Sequence, residues 1–203
     1  MADTKTGTKR RMRAPERRKQ LLEVARTVFG RRGYHTVTMD DVAREAGVTK
    51  PILYDHFPSK RELYRDLLES DLANLKDRLA EALETSKGNR ERIRSSFQAY
   101  FDFVDDEGAG FRLLMQEAVG PEREFREMVF RFRDEVLDQV TEVIVRESRG
   151  KLDRKQAEDV ALGLVGMAET AAQRDPDAPK EQRRKTVDTL VRLAWRGITG
   201  LTL

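Results

Sequence analysis

The sequence predicts an all-α chain of about nine helices, with three short ones at the N-terminal end and longer ones forming a second, larger body. Apolar residues recur at spacings of three and four almost throughout, while no convincing period-2 alternation and no internal repeat is present. Glycine, proline and capping signals mark where each periodic stretch starts and stops. The length of 203 residues is generous for one domain and short for two ordinary ones, which suits a small module joined to a larger helical unit.

The first helix follows Pro15, whose ring suits a first helical turn. Leu21, Leu22, Ala25, Val28 and Phe29 then repeat at helical spacing, and Gly33 in "GRRGYH" can take the left-handed cap. In "TMDD", Thr38 stands as N-cap with Asp41 three residues on, a capping-box pattern whose acid is one carbon shorter than Glu. Val42, Ala43 and Ala46 give the second helix a short apolar stripe that Gly47 ends. Thr49 can cap the third helix, and Pro51 falls in its first turn, where the N–H it lacks would have no intrahelical partner. Pro58 closes that helix. "SKRE" supplies a further capping box, Ser59 to Glu62, for a long fourth helix running through Leu63, Leu67, Leu68, Leu72, Leu75, Leu79 and Leu83 to the break at "TSKGN". Breaks at "DDEGAG", "VGPE", "ESRGKLD" and "QRDPDAPK" leave five more helices, over 90–105, 109–118, 121–148, 153–173 and 179–200.

The absence of cysteine removes disulfides, thiolate nucleophiles and cysteine-ligated zinc, and it fits a reducing cytoplasm. The N-terminal residues lack the apolar core of a signal peptide. The longest small-apolar run, "ALGLVGMA", falls far short of the ~20 residues that cross a bilayer. A soluble cytoplasmic protein with no membrane partner is therefore expected. The formal net charge is only +3, yet residues 1–35 hold eleven basic side chains against three acidic ones. A basic front end on a slightly acidic body suits either a polyanion partner, through release of condensed counterions, or a solvated tail.

Three short helices with a tight "AGV" turn between the second and third have the layout of a helix-turn-helix. On the third, Leu53 and Phe57 are four apart and share a core-facing edge, leaving Pro51, Ile52, Tyr54 and Asp55 on the other side. The stretch "TVTMDDVAREAGVTKPILYDHFPSKRELY" closely resembles the DNA-binding signature of the TetR family of transcriptional repressors. The shared features are a capped second helix, an A-G-V-[ST] turn, an L-Y-x-H-F third helix and an S-K-x-x-L start to the fourth. "LLEVARTVFGRRGYHTVTMDDVA" matches as well, so the motif covers about Leu21 to Tyr64.

That resemblance implies a basic flexible arm over 1–14, a helix-turn-helix DNA-binding domain over 15–62, and an effector-binding and dimerisation domain over 63–203. It places the third helix in the major groove of a double-stranded DNA operator. Lys50, Pro51, Ile52 and Asp55 would lie near base edges, and Thr38, Thr49, Tyr54, His56 and Lys60 would bind backbone phosphates. The chemistry agrees, since hydroxyls and ammonium groups are phosphate ligands, Lys donates to guanine, and Pro or Ile touches a thymine methyl. Many relatives carry an aromatic or neutral residue where this chain has Asp55, a carboxylate useful only as an acceptor or in orienting Lys50 or Arg44. The basic stretch Lys9–Lys19 is expected to contact phosphates or the minor groove beside the site. His56 has one other histidine in the chain, His35, and no ligand or nucleophile at a useful spacing. No metal, cofactor or catalytic residue is expected, and hence no enzyme.

Seven of the nine phenylalanines lie between Phe97 and Phe132. Such stripes usually mean core, but many aromatics and methionines among few polar groups can also line an apolar cavity. The family resemblance implies an inducer pocket there, with Phe97, Tyr100, Phe101, Phe111, Leu114, Met115, Phe125, Val129 and Phe132 as its candidate wall. The expected effector is a small hydrophobic molecule of lipid or acyl type, with Tyr100, Gln116 or Arg112 making polar contacts. Helix 8, with Gly163, Gly166, Ala168, Ala171 and Ala172, and helix 9, with Val187, Leu190, Val191, Ala194, Trp195 and Ile198, would form the homodimer interface. The expected function is a ligand-responsive transcriptional repressor released from a near-palindromic operator. A constitutive or architectural DNA-binding protein without an effector is the alternative.

Overall fold

The computed structural model describes residues 13–202. Among them are nine helices and no strand: α1 (Ala14–Arg32), α2 (Met39–Glu45), α3 (Lys50–His56), α4 (Lys60–Thr85), α5 (Asn89–Asp106), α6 (Gly108–Ala118), α7 (Arg123–Ser148), α8 (Arg154–Arg174) and α9 (Lys180–Thr202). The last five begin and end within two residues of the positions expected from periodicity. Residues 1–12, and with them most of the expected basic arm, lie outside the described residues. The chain divides into two compact units, one ending at Tyr64 and the other beginning at Arg65.

In the first unit, α1 starts with Pro15 in its first turn and Glu16 accepting from the Arg13 backbone N–H at 3.2 Å. Gly33 ends it at φ 75°, donating its N–H to Phe29 O at 2.7 Å. Thr38 and Asp41 cap α2 reciprocally: Thr38 Oγ1 accepts from Asp41 N at 3.2 Å, and Asp41 Oδ2 accepts from Thr38 N at 3.0 Å. The turn into α3 is a complete Schellman motif. Gly47 sits at φ 64°, its N–H reaches Arg44 O at 3.2 Å, and Val48 N–H reaches Ala43 O at 3.0 Å. Leu21, Ala25 and Phe29 of α1 are fully buried together with Val37, Val42, Leu53, Phe57, Leu63 and Tyr64. The Phe29 and Tyr64 rings meet edge to face at 4.9 Å, Tyr34 lies 4.7 Å from Tyr64, and the Arg18 guanidinium covers Phe57 at 4.9 Å.

In the second unit, α5 packs along α9 and α7 along α8, with α6 against α5 and α7. Phe103, Phe111, Leu113 and Phe125 are almost wholly buried there. A Cβ at residue 110 would lie 2.7 Å from Oδ2 of buried Asp71, so only glycine lets α6 pass this close to α4. Buried Arg183 ties the start of α9 to α5, its Nε donating to Asp105 Oδ1 at 3.0 Å and Ala178 O at 3.1 Å. No helix among the described residues is long and apolar enough to cross a membrane.

Candidate functional site

The outer face of α3 gathers most of the residues expected at DNA. Pro51 lies in the first turn, Leu53 is fully buried, and Pro51, Ile52, Tyr54 and Asp55 are exposed, with Ile52 38% and Tyr54 40% accessible. Apolar side chains of that size held at the surface of a short helix fit contact with something outside the chain. Thr49 occupies the N-cap position in extended conformation, but its hydroxyl makes no capping bond. That corrects the capping role expected of it. His56 is half-buried, with its ring 6.4 Å from that of Phe57.

Three expected contacts are modified by intramolecular partners. Lys50 Nζ lies 2.9 Å from Asp40 Oδ1 of α2, and this carboxylate raises the lysine pKa, so DNA would have to draw the ammonium from an exposed ion pair. Thr38 Oγ1 donates to Asp41 at 2.8 Å within its cap. Lys60 is turned inward: Nζ donates to Tyr34 O at 2.8 Å and Val37 O at 2.9 Å and sits 4.4 Å from the Tyr34 ring centre. Its position identifies a clamp on the α1–α2 loop, a role its sequence context did not signal. Asp55 has no hydrogen-bond or ion-pair partner among the described residues. The two cations it was expected to orient are paired with α2 acids instead, Lys50 with Asp40 and Arg44 with Asp41.

The second unit holds a partly open cavity of about 400 Å³ bounded by α4, α5, α7, α8, α9 and the α7–α8 turn. Its wall is mainly apolar, with Leu79 and Leu83 from α4, Ile93 and Phe97 from α5, Val136, Val140 and Ile144 from α7, and Trp195 and Ile198 from α9. Volume and lining are those of a small-molecule site. Of the nine residues expected to line an effector pocket, Phe97, Tyr100 and Phe132 are on this wall. Phe101, Phe111, Leu114, Phe125 and Val129 are buried away from it, and Met115 instead accepts from Gln173 at 3.0 Å. Phe111, Leu114 and Met115 miss it because α6 does not reach the cavity, whereas Phe101 of α5 and Phe125 and Val129 of α7 sit on the core-facing sides of helices that do. Gln116 and Arg112 are likewise absent from the wall.

Of the polar island on that wall, sequence reasoning found Tyr100 and missed Ser96, Arg133 and Glu169. Ser96 and Tyr100 project from one side of α5, Arg133 from α7 and Glu169 from α8. Arg133 Nη2 lies 3.2 Å from Glu169 Oε2. Burial raises the Glu169 pKa, with the Arg133 charge opposing; burial and then the Glu169 charge push the Tyr100 phenol up. Ser96 Oγ and Arg133 Nε are screened from solvent without any hydrogen-bond partner. At the cavity edge Arg149 closes α7 at φ 52°, the one non-glycine residue with positive φ among those described. The i, i+4 pair Ser96–Tyr100 was visible in the sequence, but α8 was assigned to the dimer interface, which hid Glu169.

A helix-turn-helix head with an outward-facing α3, carried by a helical unit with an apolar cavity, defines a helix-turn-helix transcription regulator. Residues 21–67 match the family described as "Bacterial regulatory proteins, tetR family", and residues 89–197 match "Tetracyclin repressor-like, C-terminal domain". The chain is 36% identical over 201 residues to the HTH-type transcriptional activator FasR of Mycolicibacterium smegmatis, covering 97% of this chain and 90% of that one. A TetR-like transcriptional regulator from Rhodococcus sp. RHA1 superposes with a TM-score of 0.79 at 26% identity, covering 94% of this chain and 100% of the other. AibR, whose crystal structure holds isovaleryl coenzyme A and operator DNA, shares the fold with a TM-score of 0.72 at 19% identity, over 88% and 97% of the two chains. The chain belongs to the TetR family and is a DNA-binding transcription regulator, not an enzyme.

Proposed function

We propose that this regulator is a cytoplasmic homodimeric repressor that a small hydrophobic effector of lipid or acyl type releases from a near-palindromic operator. The observation that carries the effector is the 400 Å³ apolar cavity in the second unit. The outward face of α3 supports base and phosphate contact by Thr49, Lys50, Pro51, Ile52, Tyr54, Asp55 and His56. Helix α4 supports coupling: one unbroken helix carries Leu63 and Tyr64 of the head's core near its start and Leu79 and Leu83 of the cavity wall near its end. An occupant that favours one seating of α4 shifts DNA affinity by its differential affinity for the two states. Isovaleryl coenzyme A and operator DNA occur together in the AibR structure, which illustrates what the fold accommodates.

The test begins with an operator selected by the protein from random duplexes, followed by fluorescence anisotropy of that duplex with apolar and polar compounds. Apolar compounds are expected to release the DNA. Release by polar or cationic compounds alone would reject the effector class, and affinity indifferent to every compound would leave a constitutive DNA-binding protein. A promoter–reporter fusion gives the sign of regulation: transcription rises on deleting a repressor and falls on deleting an activator such as FasR.

A further inference from the structure

The polar island in the cavity wall carries information about the head group of whatever occupies it. Arg133 and Glu169 together are neutral, with Nη2 and Oε2 3.2 Å apart. Arg133 Nε can only donate, and the Ser96 hydroxyl can donate. Neither atom has a partner, and neither is reached by solvent. The shared demand of these two atoms is a hydrogen-bond acceptor. The surroundings decide whether that acceptor bears charge: Phe97, Phe132 and Val136 line the same wall. A ligand carboxylate here would place a second negative charge beside Glu169, which is partly buried and where like charges are only partly screened. An uncharged oxygen would satisfy the donors without adding charge. Of the other basic groups on the wall, Arg92 is held by Leu83 O at 2.8 Å and Asn89 Oδ1 at 2.7 Å, and Arg149 and Lys151 belong to the turn between α7 and α8.

Resting on the effector reading of the cavity, we infer that Arg133, Ser96 and Glu169 select apolar ligands carrying an uncharged oxygen acceptor, as in an ester, thioester, amide or ketone, and that Glu169 excludes free carboxylates of the same chain. Glu169 acts as the discriminating residue and Arg133 with Ser96 as the donors.

Trp195, the single tryptophan of the chain, lies on the cavity wall and reports occupancy through its fluorescence. The full chain is titrated with methyl dodecanoate and with sodium dodecanoate. The ester is expected to bind about tenfold tighter, the scale of one unfavourable charge placed in a partly desolvated site. Glu169→Gln leaves Arg133 without its counter-ion, so the preference is expected to shift at least tenfold toward the carboxylate. Thermal melting of this variant shows whether it is folded. Ser96→Ala provides an independent arm: the ester should weaken severalfold while dodecane binds as before. Equal affinity of ester and acid in the native chain, or a preference untouched by Glu169→Gln in a folded protein, overturns the inference and leaves the effector reading standing. Failure of all three probes to change Trp195 fluorescence removes the effector reading, and the inference with it.

Discussion

Asp41 shows how much one side chain does for the reading head. Its carboxylate accepts from the Thr38 backbone N–H at 3.0 Å and the Thr38 hydroxyl at 2.8 Å, and Arg32 Nη1 stands 3.4 Å away. These partners, the Thr38 backbone first, hold its carboxyl well below the ordinary carboxylate range. A depressed folded-state pKa contributes stability that is fully present above the unfolded value of about 3.8 and is lost as pH falls toward the folded one. Asp41→Asn is therefore expected to lower the melting temperature at pH 7 and to flatten its decline as pH falls below about 3.8. A variant that melts like the native chain at pH 7, with the same acid slope, would show that the cap contributes nothing. Its neighbour Asp40 pairs instead with Lys50, and in the proposed DNA complex that ion pair would compete with DNA for the ammonium. Two adjacent acids of α2 thus hold different partners, one fixing the helix start and one pairing the first residue of α3.

At the scale of elements, the α2–α3 turn depends on one backbone conformation. Gly47 has φ 64° with nothing within 4 Å of the position a Cβ would take, so Gly47→Ala meets no steric obstacle and its cost is conformational. That cost is about 1–2 kcal/mol. Chemical denaturation should show this loss with an unchanged m-value, while operator affinity measured where the variant is fully folded stays near native. An operator affinity that collapses in the folded variant would mean that the turn adopts another shape. This turn was legible from "AGV" because the requirement is local, as were the Thr38–Asp41 box and the proline in the first turn of α3. The cavity was only partly legible. Helical periodicity shows that Phe97 and Phe111 each lie on an apolar face, but not which neighbour covers that face. Phe97 meets space and Phe111 meets core because α6 packs on α5 and α7 away from the cavity. Lys60 shows the same limit: the partners that hold it within the chain, Tyr34 O and Val37 O, are 26 and 23 residues away and become visible only in the fold.

For the whole molecule, the question is what the outer surface of α8 and α9 offers to a second copy of the chain. The expected dimer set divides: Ala168, Ala172, Val187, Val191 and Ala194 are buried within one chain and Trp195 and Ile198 line the cavity, while Gly163 and Gly166 stay on the outer side. What α8 and α9 present outward is Leu162 and Leu193, 51% and 61% accessible, beside Gly163, Gly166 and Gly197, where an added Cβ would meet nothing within 4 Å. Large apolar side chains next to open glycines suit close helix approach by a partner with the same surface, as two-fold symmetry requires. The proposed homodimer therefore predicts that Leu193→Glu yields a monomer by analytical ultracentrifugation. It also predicts a loss of operator affinity of about a hundredfold or more, because two heads no longer bind as one unit. Circular dichroism and Trp195 fluorescence should stay native, since Leu193 contributes to neither the core nor the cavity wall. A Leu193→Glu chain that remains a dimer with native affinity would move the interface off this surface, with exposed Phe130 of α7 as the next apolar group to test.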